Sequence, residues 1–307
     1  MVVVALCITV LAFLRISKER TVKFVQSIET DVIILGYGRI IKNIISNLYD
    51  KNLSIICITN NDLAQREINN HKEIQFITRA EAISKNLQSK KALFAWRNIA
   101  PLVENSGEFQ HWLNSNQFES RQSFLLSSAS VYRDSSIAVC ESQINLDQIS
   151  DRSGKLLLET SLSDLMKSKS TFHTNLRISN IYGPNLNYGF IAALLDAIQN
   201  QASVEIYEGR EIVRDYISIS DVVFAVSQIL LADFKHPNIN ISTGKGNSIS
   251  QVLDIFATYK YLFANRINKV PSLDIKSTSI LNCELLSSII KWKPRDLAQG
   301  INEILNV

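Results

Sequence analysis

A doubly wound parallel α/β sheet, with a smaller α/β lobe in the C-terminal third, is the fold class this sequence predicts. Three observations carry it. From Asp31 onward, short runs rich in β-branched residues alternate with longer segments of helical periodicity. The first of these runs, Val32-Ile33-Ile34-Leu35, passes straight through Gly36-Tyr37-Gly38 into a helical pattern. The composition, 46% apolar and 20% charged over 307 residues, is that of a globular chain with ample core.

The elements follow in order. Val2 to Leu14 is an uncharged, largely apolar run followed by Arg15, Lys18, Arg20 and Lys23. A spanning helix needs about 20 apolar residues, so this run is short for crossing a membrane. It also lacks the basic start and small-residue cleavage site of a secretory signal. It reads as an extra packed element, a start-site artefact or a weak membrane anchor, and residues 1–30 as an apolar segment with a basic linker. In each case the body is expected to be cytoplasmic.

Val32-Ile33-Ile34-Leu35 has the uninterrupted apolar character of a strand buried on both faces. Ile40, Ile41, Ile44, Ile45 and Leu48 then recur at helical spacing. Residues 54–58, 92–95, 123–127 and 173–178 read as further strands, and Lys155 to Met166 as a helix. In the C-terminal third, Phe190–Gln199, Ser220–Leu231, Ser250–Tyr261 and Ala298–Leu305 are helical, with strands at 203–207 and 238–242. Strand-helix alternation with right-handed crossovers is the Rossmann-type arrangement. The second lobe is read as segments that leave and re-enter the sheet.

A net charge of +3 from well-mixed signs implies no nucleic-acid partner. Cys7, Cys57, Cys140 and Cys283 lie far apart, and no metal site is suggested. His71, His111, His173 and His236 share no useful spacing.

Gly36-Tyr37-Gly38 sits between strand and helix, where a dinucleotide loop belongs. Gly36 suits the tight turn and Gly38 the close approach of a pyrophosphate. The third glycine position holds Ile41, whose Cβ is expected to push the helix away from the sheet or the cofactor. The acidic residue that takes a ribose 2′-hydroxyl is missing. Asn60, at the end of the second strand, is the candidate cofactor contact instead, and Asp62 lies too late. Arg39, beside the turn, suits a 2′-phosphate, which favours NADP over NAD; the other reading is a solvated first-turn arginine. Trp96 either covers the cofactor or packs as a core aromatic.

Downstream residues resemble the extended short-chain dehydrogenase/reductase family, the NAD-dependent epimerases and dehydratases of nucleotide sugars. Ser127-Ser128-Ala129-Ser130-Val131-Tyr132 is similar to the family's Ser-Ser-x-x-Val-Tyr strand end. Lys155 and Glu159 match the following helix. Arg177, Asn180 and Tyr182-Gly183-Pro184 resemble Arg-x-x-Asn-x-Tyr-Gly-Pro. Arg214-Asp215-Tyr216-Ile217 with Asp221, and Trp292-x-Pro294, match later elements. The resemblance spans residues 31–307. It implies NAD or NADP in a domain over 31–180, its sheet completed by parts of 203–242. It implies a mainly substrate-binding lobe over 181–307, a nucleotide-sugar substrate and a homodimer. Ser128 and Lys155 take catalytic roles, Lys155 also binds the nicotinamide ribose, and Ser130, Asn180 and Arg214 are candidate substrate contacts.

Asp151 stands where the family carries its catalytic tyrosine, four residues before Lys155. An ordinary aspartate has a pKa of about 3.9 and holds no proton to donate at neutral pH. A nicotinamide-dependent reduction of a 4-keto sugar nucleotide is the leading expectation. A 4-epimerase is the nearest competitor, and it is less suited to the missing tyrosine because it must both remove and return hydride. A binding protein without turnover is the reading from another class.

Overall fold

The computed structural model describes residues 27–60, 73–97, 107–132, 134–143, 154–184, 186–200, 203–257, 266–271, 273 and 275–305. The expected N-terminal segment, Asp62, His71 and Asp151 lie outside the described residues. Element order is β1 (Ser27–Leu35), α1 (Arg39–Tyr49), β2 (Ile55–Ile58), β3 (Ile74–Ile77), α2 (Arg79–Ile83), β4 (Asn86–Phe94), α3 (Gly107–Asn114), β5 (Phe118–Ser128), α4 (Lys155–Ser168), β6 (Phe172–Ile178) and β7 (Asn180–Tyr182). It continues with α5 (Phe190–Gln199), β8 (Val204–Tyr207), β9 (Arg210–Ser218), α6 (Ile219–Leu231), β10 (Asn238–Ile241), β11 (Gly246–Ser248), α7 (Ile249–Ala257), β12 (Ile267–Val270), β13 (Ile275–Ser279), α8 (Glu284–Ile289) and α9 (Leu297–Leu305).

Seven strands form one parallel sheet in the order β10-β6-β5-β4-β1-β2-β3. This is the doubly wound architecture, with apolar clusters on both faces. Val32, Ile34, Cys57, Leu93, Phe124 and Leu176 meet α1 and α6 on one face. Ile33, Leu35, Ile56, Phe94 and Leu125 meet α3 and α4 on the other. Central parallel strands are covered on both sides, which is why their sequence is apolar without alternation.

Ile41 lies on the core side of α1. It is 2% exposed and packs in the α1/α6 cluster with Ile44, Ile45 and Leu48, so the side chain is absorbed by the core. The sheet also has a strand outside β2 that the sequence reading lacks: β3 is four residues long and exposes Gln75.

The lobe is built around β9. β11 pairs with it antiparallel and β13 parallel, while β7 runs parallel to Tyr216–Ser218. α5, α7 and α9 share an apolar cluster with Tyr182 and Tyr216. Gly300 of α9 makes room for Tyr182: a Cβ there would overlap the phenol oxygen.

Beneath α4, the sheet carries polar side chains. Ser123 Oγ lies 2.8 Å from His173 Nδ1, and His173 Nε2 lies 3.1 Å from Asn175 Oδ1. Burial pushes the His173 ring down to about 4, against the pull of its Asn175 hydrogen bond. An unfolded histidine titrates near 6.5, so below that pH the unfolded chain binds the extra proton and stability falls with pH. Between pH 7 and about pH 4.5 this residue alone is expected to cost roughly 2–3 kcal/mol. Urea unfolding of wild type and His173→Gln at both pH values measures the difference; equal pH slopes would refute it.

Candidate active site

The glycine turn is assembled from the C-terminal ends of three neighbouring strands. Gly36 follows β1 with φ +108°, and its N–H donates to Ile58 O at 2.9 Å. A Cβ at Gly36 would stand 3.0 Å from the Ala95 carbonyl oxygen, so a side chain there is both strained and crowded. Gly38 has extended backbone and caps α1, yet a Cβ there would meet nothing within 4 Å. α1 has neither a capping side chain nor an acid in its first turn. Open space beside uncapped helix N–H groups fits a pyrophosphate. Arg39 is exposed on that first turn. Asn60 is exposed too, but its Oδ1 accepts from the Arg79 N–H at 3.1 Å, which directs the amide toward α2. Trp96 is a core aromatic, 6% exposed and edge-on to Phe94 at 4.9 Å between ring centres.

At the end of β5 successive serines face opposite ways, as strand geometry requires. Ser128 Oγ accepts from the Ser130 N–H at 3.2 Å and caps the short 3₁₀ turn Ala129–Val131. Ser127 points under α4, where its hydroxyl donates to Glu159 Oε1 at 2.5 Å. Glu159 forms a buried ion pair with Arg177, Nη2 to Oε2 at 2.8 Å. Arg177 Nη1 donates to the Tyr132 hydroxyl at 2.9 Å, and that hydroxyl donates to Asn240 Oδ1 at 2.7 Å. Burial pushes the Tyr132 phenol up to about 12, partly offset by Arg177. Ser127 and Tyr132 also line the cleft beside Ser128, and Glu159, Arg177 and Asn240 form the scaffold behind them.

Lys155 opens α4 after Gly154, whose φ of +66° turns the chain into the helix. Its Nζ donates to the carbonyls of Trp96 at 2.7 Å and Leu126 at 3.2 Å. The ammonium thus sits at the ends of β4 and β5, between the strand that borders the glycine turn and the strand that ends in Ser128.

Ser128, Ser130, Asn180 and Arg214 line one cleft of about 720 Å³, with Tyr188 and Tyr216. Gly36, Gly38, Arg39, Asn60 and Lys155 do not line it. Asn180 is exposed and its Nδ2 donates to Asp215 O at 3.2 Å. Arg214 and Asp215 are not ion-paired, because they point from opposite faces of β9. Arg214 Nη1 donates to the carbonyls of Val213 (2.9 Å) and Ser277 (2.8 Å), and its Nη2 to Ser277 Oγ (2.6 Å). Asp215 accepts from Thr243 Oγ1 at 2.7 Å, Thr243 N at 3.1 Å and Gly244 N at 3.0 Å. Burial pushes its carboxyl up, against these hydrogen bonds. Asp221 pairs with Arg295 at 2.6 Å, and Trp292 Nε1 donates to Ser242 O at 3.0 Å, so both later motifs tie the lobe together. Ser277 escaped the sequence reading because nothing in sequence shows β13 beside β9, and Tyr188 because it lies between β7 and α5 outside any motif.

Among the described residues there is no cluster of three or more potential metal ligands, and no helix is long and apolar enough to cross a membrane.

The profile of the family described as "NAD dependent epimerase/dehydratase family" matches residues 50–242. A putative UDP-glucose 4-epimerase of Methanocaldococcus jannaschii is 29% identical over 146 residues, 43% of this chain and 44% of that protein. A dTDP-4-dehydro-6-deoxyglucose reductase of Escherichia coli is 30% identical over 135 residues, 43% of each chain. The matched stretch thus spans less than half the length of these curated relatives. Among solved structures, MoeE5 in complex with UDP-glucose and NAD superposes with a TM-score of 0.71 at 19% identity, covering 90% of this chain and 97% of that one. The UDP-glucose 4-epimerase of Thermotoga maritima with UDP-glucose gives 0.70 at 18%, covering 90% and 97%. With its family profile matched over more than half its length, the chain belongs to the NAD dependent epimerase/dehydratase family.

Proposed function

We propose that this protein is a nicotinamide-dependent oxidoreductase that reduces a 4-keto sugar nucleotide, with residues 31–180 holding the cofactor and 181–307 mainly the substrate. The observation that carries this reading is the single cleft shared by Ser128, Ser130, Asn180 and Arg214. Arg214 and Asn180 grip the diphosphate, a guanidinium being suited to paired phosphate oxygens. Ser128 donates to the sugar carbonyl oxygen, and Ser130 orients the neighbouring hydroxyls. Gly36, Gly38 and the start of α1 hold the pyrophosphate of the cofactor, which when bound supplies hydride to the carbonyl carbon. Arg39 favours the 2′-phosphate of NADP. Lys155, held at the ends of β4 and β5, presents positive charge to the ribose and to the reacting oxygen.

Similarity to a dehydro-sugar reductase and to a putative UDP-glucose 4-epimerase supports both reaction types. Reduction is favoured because it asks for one proton transfer and one hydride transfer. The second reading, ligand binding without turnover, is favoured by Asp151. Incubating the full-length protein with NADH or NADPH and UDP- or dTDP-linked 4-keto hexoses is expected to consume reduced nicotinamide. Thermal stabilisation by nicotinamide and nucleotide without consumption would select the binding reading. Interconversion of UDP-glucose and UDP-galactose would select epimerisation, and absence of both binding and turnover would overturn the proposal. A cytoplasmic homodimer completes it, and sedimentation with and without vesicles decides whether residues 2–14 are a membrane anchor or a packed element.

A further inference from the structure

Arg214 lies on β9 opposite Ser279, and Ser277 stands two residues earlier on the same face of β13. The guanidinium therefore reaches back along the paired strands to Ser277. A guanidinium has five N–H donors in a rigid plane. Both hydrogens of Nη1 are taken by the carbonyls of Val213 and Ser277, and one hydrogen of Nη2 by Ser277 Oγ. What remains is the Nε hydrogen and the second Nη2 hydrogen, and these two lie together on one edge of the plane. That edge matches two oxygens of a phosphate or of neighbouring phosphates. Arg214 also lines the cleft, so the gripped residue borders the space where a ligand would sit.

We propose that Ser277 is the positioning residue that turns the side edge of Arg214 into the cleft to take the diphosphate of the nucleotide sugar side-on. The inference rests on the cleft being a nucleotide-sugar site. The Val213 and Ser277 carbonyls hold only Nη1, whereas the Ser277 hydroxyl holds Nη2 as well and so fixes both ends of the outer edge. Freezing the side chain before binding removes part of the ordering cost that a flexible arginine meets when it captures an anion.

The test uses the full-length protein with UDP and dTDP as probes and uridine as a phosphate-free control, by calorimetric titration. Ser277→Ala is expected to weaken UDP binding about 3- to 10-fold, the range of one hydrogen bond. Arg214→Met is expected to weaken it about 10- to 100-fold, as for hydrogen bonds to a charged group. Ser277→Thr restores the parent affinity, uridine binding stays unchanged, and the unfolding midpoint of Ser277→Ala stays at the parent value. Adding Ser277→Ala to Arg214→Met is expected to change nothing further, since the serine acts through the arginine. An equal loss in both backgrounds, or no loss in Ser277→Ala while Arg214→Met binds weakly, overturns the positioning role. Parent-like binding by Arg214→Met would instead overturn the assignment of Arg214 to the diphosphate, and with it the reading beneath this inference.

Discussion

Arg177→Met is expected to lower the unfolding free energy by about 3–5 kcal/mol, the usual cost of removing one partner of a buried pair. Both side chains of the Arg177–Glu159 pair are only 3% exposed. Glu159 accepts from Arg177 Nε at 3.1 Å and Nη2 at 2.8 Å, and from Ser127 Oγ at 2.5 Å. Without the guanidinium the carboxylate keeps one hydroxyl donor and no counter-charge in the core. Tyr132 and the Glu141 carbonyl lose a donor as well. Arg177→Met/Glu159→Leu is expected to recover most of the loss, because two apolar side chains leave no charge behind. Urea unfolding with an unchanged slope measures both. A loss below about 1 kcal/mol in the single variant would show that the pair is hydrated or replaceable.

Asp151→Tyr is expected to raise turnover of a 4-keto sugar nucleotide about 100-fold or more, the contribution of a positioned general acid. Asp151 itself lies outside the described residues, and its sequence position defines the test. It precedes by four residues Lys155, whose Nζ is fixed on the Trp96 and Leu126 carbonyls near Ser128. A tyrosine at this position restores the Tyr-x-x-x-Lys spacing to Lys155. A cation close by lowers a phenol pKa toward neutrality, which matches the acid to its task. Initial rates with NADH and NADPH at saturating substrate are the measurement. No gain, with cofactor still bound, would show that the cofactor side has diverged beyond one residue, with Asn60 committed to the Arg79 N–H as the first suspect.

The parallel sheet was legible because strands buried on both faces have to be apolar throughout, as Val32 to Leu35 and Phe124 to Leu126 are. The lobe was not. β11 and β13 carry Gly, Asn, Ser, Thr and Lys on half-exposed faces, so no alternation betrays them. β3 was lost through its shortness and its exposed Gln75. Motif spacing found Ser128, Ser130, Asn180 and Arg214, which line one cleft although their segments are far apart in sequence. It did not separate cleft from scaffold: Glu159 and Arg177 belong to the same resemblance and are buried behind Ser128. Ile41 looks disruptive in sequence and is buried in the core, while Trp96 packs as the core aromatic that was one of its two readings, because burial depends on neighbours that only the fold brings together.

The polar side chains under α4 also act as an alignment key for two strands. Ser123 is paired with His173, Leu125 with Asn175 and Ser127 with Arg177 across β5 and β6. A slip of one residue would swing His173, Asn175 and Arg177 to the far face, beside Phe124 and Leu126. Three hydrogen-bonding groups would then lie in hydrocarbon, whereas interchangeable leucines and valines would tolerate the same shift. The strands that end in Ser128 and lead into Asn180 are thereby kept in step, and the spacing of those two cleft residues is set from below the sheet.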